Sequence, residues 1–189
     1  MARKASDKPA NAMPLALEML VSDHRKVDSL FKQFESMKAE EDPGRVATAR
    51  RACADLTVHS RVEEELFYPW LRENMSDTDQ VAEATVEHAS IRHLIDEIAP
   101  VGEPDEAYDA KVKVLAEYVK HHVNEEENEI FPEVISQADE LDELGQEMAA
   151  RKAEIMDEMR ISDDEEAVEP SEAARIPRKP HGEASRHSR

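Results

Sequence analysis

His59-Ser-Arg-Val-Glu63 and His122-Val-Asn-Glu-Glu126 each place an imidazole four residues before a carboxylate. The likeness runs on: an aromatic residue stands nine positions after each histidine and a proline ten after, at Tyr68-Pro69 and Phe131-Pro132. Ordinary helices have no reason to share those offsets, whereas duplicated helix pairs meeting at one site do. Residues four apart on a helix face the same way, so each His–Glu pair projects together. Leu56, Leu66 and Trp70 share a stripe with the first pair, and Leu115, Tyr118 and Ile130 share one with the second. Both pairs should therefore point inward. His24, between Leu20, Val21 and Val27, and His88, between Ala84 and Ile91, lie on apolar stripes of their own.

Each piece has an ordinary reading. A lone inward histidine is commonly a hydrogen-bonded core residue, and a lone His-x-x-x-Glu is commonly a solvent-facing pair. A run such as Glu63-Glu64-Glu65 or Glu125-Glu126-Glu127 is commonly a wet face. The joint set differs, because four imidazoles and two carboxylates converging in a core must be compensated. A buried unpaired carboxylate costs several kcal/mol even after relaxation. A cation cancels that charge and occupies the imidazole lone pairs, and no basic residue lies on the inward stripes of the first, second and fourth helices to do so instead. Nitrogen and oxygen donors without sulfur suit iron, manganese or zinc. Two glutamates arriving from opposite helices can each bridge two ions, leaving two histidines for each ion. Neither the Glu-x-x-His of ferritin-type sites nor the His-Glu-x-x-His of metalloproteases occurs.

The elements that must position these groups follow from the periodicity. The spacing predicts helices over roughly 14–39, 45–73, 77–99 and 105–131, each spanning ~30–40 Å. Short connections at Glu40-Glu-Asp-Pro-Gly44, Asn74-Met-Ser-Asp77 and Pro100-Val-Gly-Glu-Pro104 join them. The expected fold is all-α, an antiparallel up-down four-helix bundle over 13–135. An additional helix over 136–160 should dock on the bundle or pair with a second copy. Segment 1–12 and the charged tail 161–189, which holds His181 and His187, should be disordered.

Composition narrows the partners. The 189 residues include 44 acidic and 24 basic, for a net charge of −20 and a pI near 4.7. Such a surface repels phosphate backbones and anionic bilayers, which argues against nucleic acid and membrane partners. The single cysteine, Cys53, allows no intrachain disulfide and no cysteine-based zinc site, consistent with a cytoplasmic setting. No apolar run approaches the ~20 residues of a membrane span, and the start of the chain does not read as a signal peptide.

Asp23-His24, His59-x-x-x-Glu63 with Leu66-Phe-Tyr-Pro69, Glu87-His88, and His122-x-x-x-Glu126 with Ile130-Phe-Pro132 together resemble the hemerythrin-like, HHE cation-binding family. The resemblance spans roughly 14–135 in the family's order. It implies a four-helix bundle holding two non-haem irons joined by an oxo or hydroxo bridge. Glu63 and Glu126 would bridge the irons, His24 and His59 would complete one, and His88 and His122 would sit on the other. Oxygen-carrying members use a fifth histidine four residues after the one matching His88; that position here is Arg92. His93, about 140° further round the helix than His88, should be a surface residue, and His121 should face away if His122 faces in. Tyr118, Arg92 and His93 remain as candidates for an extra ligand or its partner. A less saturated site favours redox turnover over reversible carriage. The expected ligands are O2, peroxide or nitric oxide, with a catalase-like or peroxide-reducing activity as the enzymatic form. A non-enzymatic oxygen, nitric oxide or iron sensor or store is the alternative, and a metal-free interaction bundle a further one. Phe31, Phe34, Leu66, Phe67 and Ile91 are the expected apolar lining.

Overall fold

The computed structural model describes residues 12–102 and 104–161; the termini expected to be disordered lie outside this range, apart from residues 12 and 161. Among the described residues the chain is all helical, with no strand. Leu17, Leu20, His24, Val27, Phe31 and Phe34 recur at three- and four-residue steps and are all buried, so α1 (Leu15–Ala39) turns one stripe inward. After a turn through Glu41, whose φ is 56°, come α2 (Arg45–Val62), a π-helical turn (Glu63–Phe67) and α3 (Tyr68–Asn74) in one continuous rod. Next is α4 (Asp79–Ile98), then a second such rod: α5 (Tyr108–Glu125), a π turn (Glu126–Ile130) and α6 (Phe131–Val134). The last helix is α7 (Ala138–Met159). No described helix is long and apolar enough to cross a membrane.

The two π turns follow from the repeated prolines. Pro69 and Pro132 have no N–H for an α-helical bond, and their rings clash with a regular preceding turn. The wider turn accommodates this: the amides of Tyr68 and Phe131 reach back five residues to the carbonyls of Glu63 and Glu126. One extra residue per turn then rotates everything downstream. A regular helix would bury Leu66 and Trp70, yet Phe67, Tyr68 and Leu71 are the buried residues, and Leu66 and Trp70 are only partly covered.

The apolar interior falls into two cores. One gathers Leu17, Leu20, Val62, Phe67, Leu71, Val81 and Val134; the other gathers Val27, Phe34, Leu56, Ile91, Leu115 and Val119. Between them lies a buried polar layer made of His24, His59, Glu63, His88, His122 and Glu126. The fifth long helix docks within its own chain. Leu141, Met148 and Ile155 of α7 are fully covered, and α7 packs chiefly on α1 and also on α2. Asp142 of α7 accepts the Leu15 amide at 2.6 Å, satisfying an orphan donor of the first turn of α1. Gly145 allows the close approach, since a Cβ there would stand 2.5 Å from the Ala16 nitrogen. Of the two placements expected for this helix, docking on the bundle and pairing with a second copy, the first is the one seen.

Candidate metal centre

The α-helical steps of α1, α2, α4 and α5 carry one imidazole each into the polar layer, and the start of each π turn adds a carboxylate. Glu63 and Glu126 are both completely inaccessible to solvent, and the four histidines are no more than 4% exposed. The imidazoles form two pairs: His24 and His59, with ring centroids 4.9 Å apart, and His88 and His122, 4.6 Å apart. All four present Nε2 to the carboxylates. Glu63 Oε2 lies 3.0 Å from His59 and 3.4 Å from His88. Glu126 Oε2 lies 3.3 Å from His24 and 3.6 Å from His122. Each carboxylate therefore spans both imidazole pairs.

This donor set fits a pair of cations on its own chemistry. Both oxygens of Glu63, Oε2 of Glu126 and Nε2 of His24 are buried with no hydrogen-bond partner, and such orphans are costly unless something else fills their lone pairs. The donors fall into two groups whose atoms lie within 4.8 Å of one another, His24–His59–Glu63–Glu126 and Glu63–His88–His122, with Glu63 common to both. Burial disfavours both carboxylates as anions. His122, His24 and His59 nevertheless hold Glu126 well below its usual range, while burial and the nearby Glu126 push Glu63 up. Burial also disfavours a charged His59, but Glu63 and Asp23 outweigh it and lift the imidazole to about 10. Burial and His122 push His88 down to about 3.

A second layer fixes the rings. His24 Nδ1 donates to Glu127 at 2.8 Å, His122 Nδ1 to Glu87 at 2.8 Å, and His88 Nδ1 to Glu64 at 3.2 Å. Asp23 sits 3.8 Å from His59 Nδ1. The carboxylates bonded to His24, His88 and His122 hold the Nδ1 proton and leave the Nε2 lone pair facing inward, the arrangement seen in metal-bound histidines. Asp23, by contrast, is too far from His59 Nδ1 for a hydrogen bond, and that nitrogen has no other hydrogen-bond partner. These four acids were not singled out from sequence as partners of the rings, although each adjoins a ligand candidate: Asp23 precedes His24, Glu64 follows Glu63, Glu87 precedes His88 and Glu127 follows Glu126.

Tyr68 is the other residue that the spacing understated. Its hydroxyl donates to Glu126 Oε1 at 3.0 Å and lies 3.2 Å from His88 Nε2. It is the aromatic at the ninth position of the first repeat, and its counterpart Phe131 stacks on His24 at 6.2 Å. Tyr118 is instead 48% exposed on the surface of α5. Arg92 pairs with Glu64 at 2.7 Å, one residue removed from the cluster. The His93 side chain is 75% exposed and faces Glu97. Of the expected apolar lining, Ile91 borders the small void beside the four imidazoles; the rest of its apolar wall is Val27, Leu56, Val119 and Val123. Phe31 and Phe34 lie deeper in the second core, and Phe67 in the first.

Among curated proteins the chain is similar to one named DNA nickase from Nostoc sp., with 26% identity over 141 residues. The match covers 73% of this chain and 39% of that protein, so the chain spans well under half of its relative. No solved structure matches the chain. The model of the family described as the hemerythrin HHE cation-binding domain matches residues 15–134, which take in both rods and all six converging side chains. The chain belongs to the hemerythrin HHE cation-binding domain family.

Proposed function

We propose that this chain is a non-haem diiron protein that binds or turns over oxygen species (O2, hydrogen peroxide or nitric oxide), with catalase-like or peroxide-reducing turnover as its enzymatic form. The observation that carries this is the crossed placement of Glu63 and Glu126, each within 3.6 Å of one imidazole from each pair. We read the rods as an antiparallel up-down four-helix bundle. The order of core residues supports this: α1 and α4 run from the first core to the second, and α2 and α5 run back.

Bound iron would supply the redox change and the electrophilic point of attachment that such ligands need. The protein's own groups do the rest. Glu127, Glu64 and Glu87 hold the rings of His24, His88 and His122 in one orientation. Val27, Leu56, Ile91, Val119 and Val123 form the apolar wall of a small void beside the four imidazoles, which limits water there. Tyr68 holds a proton on Oη against Glu126 Oε1 at 3.0 Å and 3.2 Å from His88 Nε2, at the face of the cluster towards the first core. The nicking activity in the relative's name is not adopted for this chain, whose charge of −20 repels phosphate backbones. A single cysteine agrees with a cytoplasmic setting.

Peroxide-driven oxygen evolution by iron-loaded protein, abolished in His59→Ala, is the expected result; equal evolution in both proteins overturns the enzymatic form. Protein that takes up no metal and is unchanged by chelator would instead be a helical interaction module. One contact favours a sensor as the second reading. Lys152 of α7 pairs with Asp23, whose other oxygen faces His59 Nδ1, so ion occupancy can reach α7. Hydrogen exchange in α7 that changes on loading supports that role.

A further inference from the structure

Four carboxylates back the four imidazoles, but they are not equally covered. Glu127 pairs with Arg25, Asp23 with Lys152, and Glu64 with Arg92. Glu87 has no such permanent cation among the described residues; its outer neighbour is His121, at 3.5 Å. It faces a groove between α4 and the α5 rod whose walls carry Glu83, Glu87, Glu125 and Glu129 and whose floor is His122 and Glu126. Among the described residues no lysine or arginine pairs with any of those four wall acids. The floor leads to the buried cluster, where Glu126 Oε2, buried without a hydrogen-bond partner, faces His24 and His122. Gln80 Oε1, also in the groove, is likewise buried and unpartnered.

At the outer end, His121 Nε2 lies 3.1 Å from Glu125 Oε1 as well as 3.5 Å from Glu87 Oε1. These three side chains can offer ligand atoms within 4.8 Å of one another. Glu87 joins outside to inside: one oxygen faces His121, and the other accepts from His122 Nδ1 at 2.8 Å. We propose that Glu87, His121 and Glu125 form an outer, weaker site for a divalent transition-metal cation, from which ions pass along the acidic groove to the buried cluster. The class of ion follows from the donors, one imidazole and two carboxylates, which suit Fe2+ or Mn2+. The unbalanced acidic walls concentrate cations at the mouth. The surface faces of the other three imidazoles each carry a fixed positive charge that repels them.

The proposal rests on the buried cluster being an ion site, and the test separates the two. Full-length protein stripped of metal is titrated with Mn2+ at low ionic strength, free Mn2+ being read by electron paramagnetic resonance. Wild type, His121→Ala, Glu125→Gln and Glu35→Gln are compared, the last removing an exposed charge on α1. The expected result is a weaker ion in wild type and Glu35→Gln beyond those held tightly. His121→Ala and Glu125→Gln should lose that ion alone and fill the tight sites ~10-fold more slowly. Tight ions without a weaker one, or a weaker ion lost equally in Glu35→Gln, overturns the outer site and leaves the buried one standing. No tight ions in wild type overturns the buried cluster, and the loading station with it.

Discussion

Replacing Tyr68 by phenylalanine removes one oxygen from a side chain that is 1% exposed. That oxygen donates to Glu126 Oε1 at 3.0 Å and sits 3.2 Å from His88 Nε2. The ring remains, packed against His88 with centroids 5.2 Å apart, so no cavity opens. What is lost is a buried hydrogen bond to a charged acceptor, worth about 1.5–3 kcal/mol. At about 2–4 °C per kcal/mol for a domain of this size, Tm should fall by roughly 3–12 °C. Thermal unfolding followed by circular dichroism measures this, with Tyr118→Phe, at a surface position, as the unchanged control. Iron content should stay at the wild-type value while peroxide turnover falls, because Tyr68 positions a proton rather than an ion. An unchanged Tm would refute the hydrogen bond, and a lost ion would show that the phenol is a ligand.

Gly145→Ala should lower Tm through a cost of roughly 1–3 kcal/mol, because the new methyl meets the backbone of Ala16 and Leu15; an unchanged Tm would mean that α7 is not seated on α1 as described. Glu127→Gln weakens the partner of His24 Nδ1 and should reduce ion affinity about 10–100-fold in a competition titration. Cys53 is buried, and burial pushes its thiol up to about 12. The thiol therefore stays protonated well above the usual 9.0. Native protein should resist thiol-specific reagents at about pH 8 and react once unfolded; rapid native labelling would contradict the packing. Removing the ions should lower Tm, since cations bound only to the folded state stabilise it; identical melting with and without metal would count against the site.

The convergence of His24, His59, His88 and His122 is legible in sequence because each follows the three- and four-residue rhythm of its own helix. The carboxylates Glu63 and Glu126 are legible for the same reason, lying one turn beyond a histidine. Rhythm fails immediately after them. The proline that marks each repeat forces a π turn, and the inserted residue moves Phe67 and Tyr68 to the places Leu66 and Trp70 would have taken in a regular helix. Tyr68 was thus visible as an offset but not as a contact. Tyr118 failed for a smaller reason: between steps of three and four residues after Leu115, the buried position falls on Val119. The outer carboxylates were hidden because a helical wheel orders residues around one axis and says nothing of which acid on a neighbouring rod meets Nδ1. The seating of α7 on α1 depends on one glycine and one aspartate, Gly145 and Asp142, that no periodicity distinguishes.

The most direct test of the central claim is the iron content of protein reconstituted with Fe2+ under anaerobic conditions and freed of loosely held metal. Two irons per chain are expected for the wild type, with fewer in Glu63→Gln, whose carboxylate spans both imidazole pairs. A single iron in the wild type, or two in the variant as firmly held as before, would contradict a centre bridged by Glu63.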